Sequence, residues 1–203
     1  MAVDLDFENC VYPKRESFIS KNRSALLSIF VFFIAMIIGT RAVALGYTEF
    51  YNTQIDLRYS QPFFNVFLNI SIGRLVDCLV IFLSGFFVFG FITSTLWIGY
   101  IGLRVGLISG GLYLHGLSGF GCFALVFMPF LIAELLIFSL LNAKSCEFSI
   151  GLLKCATKGD RMDTPTEFKL YILRFIVLFI ALAVCVLLES ADNCILIGSF
   201  DLR

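Results

Sequence analysis

The stretch FGCFALVFMPFLIAELLIFSLL, residues 120–141, has Glu134 and Ser139 as its only polar side chains. About 20 consecutive apolar residues make a helix long enough to cross a hydrocarbon layer ~30 Å thick. The stretch therefore reads as a transmembrane helix with a carboxyl at membrane depth. A charge placed there costs roughly 2.5–3.5 kcal/mol on insertion scales. Such a group needs a counter-charge, a proton or a functional role.

The rest of the chain agrees with this reading. Of 203 residues, 59% are hydrophobic, 24 are Phe, and only 15% are charged. A soluble domain of this length could not bury so much apolar surface. The fold class is an all-α, polytopic membrane helix bundle in the cell membrane, with lipid as its surroundings. Formal net charge is zero, so nothing points to nucleic acid or to an acidic substrate. The seven cysteines form no CxxC pair, and in apolar spans Cys behaves as a small hydrophobe. Neither a disulfide framework nor a metal site follows from them. His115 is the single histidine, and no GxSxG, HExxH or phosphate-cradling glycine loop is present. The expectation is a protein without catalytic residues, metal or cofactor, and so not an enzyme.

Hydropathy divides the chain into a polar tail at 1–24, a transmembrane domain at 25–188 and a short tail at 189–203. About five spans are predicted, near 25–45, 75–95, 98–115, 120–141 and 170–188. Ala42-Val43-Ala44 loosely imitates a signal-peptidase site. The acids Asp4, Asp6, Glu8 and Glu16 before it, and Arg41 beside it, favour a retained first span. The loop 46–74 is rich in aromatics (Tyr47, Phe50, Tyr51, Tyr59, Phe63, Phe64, Phe67), which suits a segment lying at the interface. The run from 75 to 141 is too long for two ordinary helices and suits three, with breaks at Thr93-Ser94-Thr95 and His115–Gly119. Residues 142–169 read as a basic loop. Lys14, Arg15, Lys21 and Arg23 flank one side, joined by Lys144, Lys154, Lys158, Arg161 and Lys169. Only Arg58, Arg74 and Arg203 fall on the other. The positive-inside rule then puts the N-terminus in the cytoplasm and the C-terminus outside.

Within the spans, Arg104 is the second deep charge. Arg104 and Glu134 each lie fifteen residues from Gly119. In a hairpin turning there they would share one depth and form an intramembrane ion pair. That pair either locks the hairpin or, if Glu134 faces a cavity, binds or relays something. Gly102, Gly106 and Gly110 form two GxxxG patterns in phase, a helix-packing face for an internal or external partner. Pro129 removes one backbone hydrogen bond five residues before Glu134, which predicts a helix kink. Arg74 and Asp77, three apart, read as an interfacial pair at the outer end of the second span.

The element Pro129-Phe130-Leu131-Ile132-Ala133-Glu134-Leu135 resembles the proline–histidine–glycine–x–x–glutamate–leucine motif in the fourth span of the stage II sporulation protein M family. Pro129, Glu134 and Leu135 match, while Phe130 and Leu131 stand where that family has histidine and glycine. Arg104 ahead of Gly106 and Gly110 is also similar to its third span. The resemblance implies a bacterial, non-enzymatic membrane scaffold that recruits or organises extracytoplasmic cell-wall (peptidoglycan) hydrolases during sporulation and engulfment. The rival expectation is a small transporter or channel, assembled as a homo-oligomer, that uses Glu134 and Arg104.

Overall fold

The computed structural model describes residues 22–49, 52, 61–158 and 164–196. Every element among them is helical: α1 Arg23–Ala44, α2 Phe63–Ser84, α3 Gly90–Tyr113, α4 Gly116–Cys122, α5 Met128–Lys158 and α6 Thr164–Leu196. A π-helical turn, Phe123–Phe127, joins α4 to α5 without a break. Counting α4, the π turn and α5 as one rod, five helices are long and apolar enough to cross a membrane. This is the architecture of a multi-pass membrane protein. The tail 1–21, positions 50, 51 and 53–60 of the first loop, positions 159–163 and the last residues 197–203 lie outside the described residues.

Several boundaries differ from those expected. The second span starts at Phe63 rather than 75. Asn65, Asn69, Ser71 and Arg74 lower the local hydropathy enough to imitate a loop, but they leave a helical phase that buries Val66 and Ile70. Arg74 and Asp77 therefore sit in the middle of α2, not at its outer end. Thr95 lies within α3 and returns its hydroxyl to the Phe91 carbonyl at 2.8 Å. The break falls instead at 85–89. The fourth span does not end at Leu141: α5 continues to Lys158. Its neutral polar residues belong to the bundle, because distant elements satisfy them. Asn142 Nδ2 donates to Ser28 Oγ at 2.6 Å, and Ser84 and Ser145 share a 2.9 Å bond. Ser149 donates to the Phe87 carbonyl at 2.7 Å and accepts from the Phe91 amide at 3.2 Å, which pins the turn between α2 and α3. Likewise α6 runs through 189, so Glu189, Ser190 and Asn193 are buried parts of a span rather than of a tail.

The two best-defined contacts are of different kinds. α1 packs on α3 along a seam of glycines. A Cβ on Gly102 would strike the Phe32 carbonyl, one on Gly106 the Met36 carbonyl, and one on Gly39 the Leu103 carbonyl. Gly110 continues the seam against Thr40. Thr40 Oγ1 crosses it to the Gly106 carbonyl at 3.2 Å. Small residues allow this backbone approach, and the gain is dispersion contact that lipid cannot supply. The glycine face thus has an internal partner, α1. On the other side of the molecule α5 is the central rod, touching α1, α2, α3 and α6. Phe82, Tyr171 and Phe175 pack together where α2 meets α6.

The hairpin between α3 and α4 turns at Leu114–His115, where Gly116 adopts φ +63°. Side chains rarely adopt that left-handed conformation, and glycine does so without strain. The π turn lies immediately before Met128-Pro129. Proline lacks the N–H that an α-helical ladder needs four residues back. A widened turn just upstream is a common way for a helix to absorb such a defect.

Candidate functional site

Five charged side chains converge inside the bundle: Arg74 and Asp77 from α2, Arg104 from α3, Glu134 from α5 and Glu189 from α6. Asp77, Glu134 and Glu189 are 1%, 4% and 2% exposed. The arginines are mostly covered, with side chains 16% exposed at Arg74 and 25% at Arg104.

The pairing differs from the expected Arg104–Glu134 bridge. Glu134 Oε2 pairs with Arg74 Nη2 at 2.5 Å. Arg104 Nη1 instead donates to both carboxylate oxygens of Asp77, each at 3.3 Å. Helix phase is the reason. Ile98, Ile101 and Val105, spaced on one face of α3, line the same small cavity as Glu134. Arg104 lies on the adjoining face and is turned toward α2, where its Nη2 would stand 3.7 Å from a Cβ on Gly73. Symmetry about the turn located a plausible depth but could not supply the phase. The turn itself is also centred nearer 114–115 than 119.

Two residues sharpen the Asp77 end. Trp97 Nε1 donates to Asp77 Oδ1 at 3.2 Å, so this carboxylate accepts from an indole and a guanidinium. The Arg104 guanidinium also lies 5.6 Å from the centre of the Tyr100 ring, within range of a cation–π contact. At the other end Arg74 feels Glu134, Glu189 and Asp77 together. A cavity of about 20 Å³ opens between Arg74, Glu134 and Glu189, walled by Phe123 and Phe127 of the π turn and by Leu131. That is room for about one water molecule. A second, of about 10 Å³, adjoins Arg74 and Glu134 on the side facing Phe32 and Phe138.

Arg104 and Glu134, expected to pair with each other, thus each take a partner from α2 instead. Arg74 and Asp77 lie mid-helix rather than at an outer end, and Glu189 belongs to a span rather than to a tail. Their spacing held a usable signal. Arg74 and Asp77 are three apart, while Glu189 and Asn193 are four apart, so each pair lies on one helical face. Pro129 sits at the entry to α5 beside the π turn, and its contribution to the site is backbone shape.

The fold and this network define a helical membrane protein with a cluster of five charges turned inward. No family model, curated protein or solved structure matches the chain.

Proposed function

We propose that the chain is a non-enzymatic membrane scaffold, resembling stage II sporulation protein M, that holds cell-wall hydrolases at the membrane. The observation that carries this reading is the inward pairing of both deep arginines. Arg74 binds Glu134 and Arg104 binds Asp77, so each deep cation joins helices instead of facing a wide pathway. The cavities that Arg74 and Glu134 line together hold about 10 and 20 Å³, too little for a hydrated solute. The larger one of about 190 Å³ that Arg74 borders between α2 and α6 is walled mostly by apolar side chains and excludes Glu134. The glycine seam is filled by α1, which leaves the loop between α1 and α2 and the C-terminal end as partner surfaces.

In this reading the N-terminus and the α5–α6 connection are cytoplasmic, and the α1–α2 loop and C-terminus are extracytoplasmic. With Arg74 inside the bundle, Arg41, Arg58 and Arg203 remain as outer basic residues against nine inner ones, so the charge bias supports this orientation. Cysteines introduced at 52 and at 158 in a variant without reactive native thiols test it. Impermeant maleimide should label position 52 in intact cells and position 158 only after lysis. The scaffold itself is tested by deleting the gene and following a fluorescent hydrolase that co-purifies with the protein in mild detergent. The hydrolase should disperse from its membrane site, and an unchanged distribution would reject the reading.

A further inference from the structure

We propose that the outward face of α2 and α3 around Asn69, Gly73, Tyr100 and Arg104 is a dimer interface, where a second copy of this chain supplies hydrogen bonds that lipid cannot. The scaffold reading uses the loop and C-terminal surfaces, so the two stand or fall separately.

Polar groups face outward here at membrane depth. Arg104 reaches Asp77 through one nitrogen, Nη1, at 3.3 Å to each carboxylate oxygen. Its Nε and Nη2 make no hydrogen bond among the described residues, and neither is buried, so both reach the surface of the bundle. Nη2 lies 3.7 Å from where a Cβ on Gly73 would stand. Tyr100, one turn earlier on α3, is 47% exposed. On α2, Asn69 is exposed one turn from Gly73. Neither the Asn69 carboxamide nor the Tyr100 hydroxyl has a hydrogen-bond partner among the described residues.

At ~1.5 Å per residue, Asn69 and Gly73 stand about 9 and 15 Å inside α2 from its Phe63 end. That is within the hydrocarbon layer. Around them Ile72, Val76 and Leu96 are exposed and apolar, as a lipid-facing surface requires. Lipid tails offer neither donor nor acceptor, so an uncovered carboxamide, hydroxyl or guanidinium is costly there. Transmembrane helices satisfy such groups against one another.

The chemistry of the face selects its occupant. Two copies inserted in the same direction are related by a twofold axis along the membrane normal, so the face must be complementary to itself. This face meets that requirement, because the Asn69 carboxamide and the Tyr100 hydroxyl each carry both a donor and an acceptor. Arg104 brings only donors, and the second copy's Asn69 Oδ1 and Tyr100 Oη are acceptors of the kind it lacks. Asp77 already neutralises Arg104, so two copies meet without bare like charges. A foreign helix bearing a carboxylate would instead add an unmatched negative charge. Gly73 has no side chain to hold a second helix away from the guanidinium.

Donor- and acceptor-labelled full-length protein, diluted together in liposomes and followed by energy transfer, tests this. The wild type should dimerise. Asn69→Leu should weaken the dimer about tenfold, the scale of one interhelical polar contact. Tyr100→Phe should weaken it by less. Both variants should keep the wild-type melting temperature in dilute detergent, because neither polar group is bonded within its own chain. Val177→Leu, on the exposed face of α6, should change nothing. In a variant without reactive native thiols, Val76→Cys should form an intermolecular disulfide on oxidation and Val177→Cys should not. Wild-type protein that stays monomeric at every protein-to-lipid ratio overturns the proposal and assigns the face to lipid or to another protein. So does a dimer whose affinity is unchanged in Asn69→Leu, or one that cross-links at 177 and not at 76.

Discussion

The α1–α3 seam and the α2–α5–α6 network hold the same bundle together by opposite means. Along the seam, backbone meets backbone across Gly39, Gly102 and Gly106, and Thr40 supplies the hydrogen bonds across it. In the network, side chains reach across wider gaps, and Arg74, Asp77, Arg104 and Glu134 are joined by directional charged bonds. The seam is fixed by shape, because no atom can be added without parting the helices. The network is fixed by chemistry, because any single member leaves its partner charged and buried. Lipid tails compete equally for apolar surface, so a membrane protein cannot rely on hydrophobic burial to choose among packings. This chain uses shape on one side and charge on the other.

The largest effect should come from the seam. Gly106→Leu places a branched side chain where a Cβ already collides with the Met36 carbonyl. The two helices must separate along most of their length, so the cost should exceed the ~1–3 kcal/mol of ordinary overpacking. The expected outcome is loss of monodisperse protein in mild detergent. Gly73→Ala, whose Cβ would meet only the Arg104 guanidinium at 3.7 Å, should be tolerated and serves as the control. Equal damage from both would remove the distinction between the seam and the network.

Next in size is the Arg74–Glu134 pair. Glu134→Gln leaves Arg74 with the charges of Glu189 and Asp77, and Arg74→Met removes the cation that Glu134 binds. Removing one partner of a buried pair costs about 3–5 kcal/mol. Replacing both, Arg74→Met with Glu134→Leu, should recover part of that loss, because the walls left around them are apolar apart from Glu189. A denaturant titration of the double-mutant cycle measures the coupling. Additive losses would mean that the two residues do not depend on each other. Asp77→Asn should cost less, about 1–3 kcal/mol, because Arg104 is a quarter exposed and retains the Tyr100 ring.

This contrast also explains what could be read in the sequence. The seam was visible, because Gly102, Gly106 and Gly110 mark a face by spacing alone, and spacing is a property of one helix. The number of apolar helices was visible for the same reason. The network was only half visible. Glu134 and Arg104 stood out against apolar neighbours, but which charges meet depends on the rotation of each helix, and every residue of an apolar span is compatible with several rotations. Arg74, Asp77 and Glu189 were misplaced for a second reason. Hydropathy averages count a polar side chain as a vote for solvent, whereas Asn142, Ser145, Ser149 and Ser190 are satisfied by atoms from distant or neighbouring turns. Each such residue shortens a predicted span although it belongs to the bundle. The break assigned to Thr93-Ser94-Thr95 failed in this way, since the Thr95 hydroxyl bonds back to its own helix.

The smallest predicted effect probes whether neutral hydrogen bonds form a third kind of contact between the two. Ser149 is fully buried and closes the α2–α3 turn with bonds to the Phe87 and Val88 carbonyls and from the Phe91 amide. Ser149→Ala removes the hydroxyl without adding volume, so its cost is that of lost neutral hydrogen bonds, about 1 kcal/mol. It should leave the Arg74–Glu134 coupling unchanged, since residues separated by several turns with no shared partner contribute additively. The measurement is the same denaturant titration carried out in the Ser149→Ala background. A loss comparable to that of Glu134→Gln would show that the turn governs how α2 presents Arg74 and Asp77. The charge network would then depend on a neutral residue of α5 that closes the turn at the end of α2.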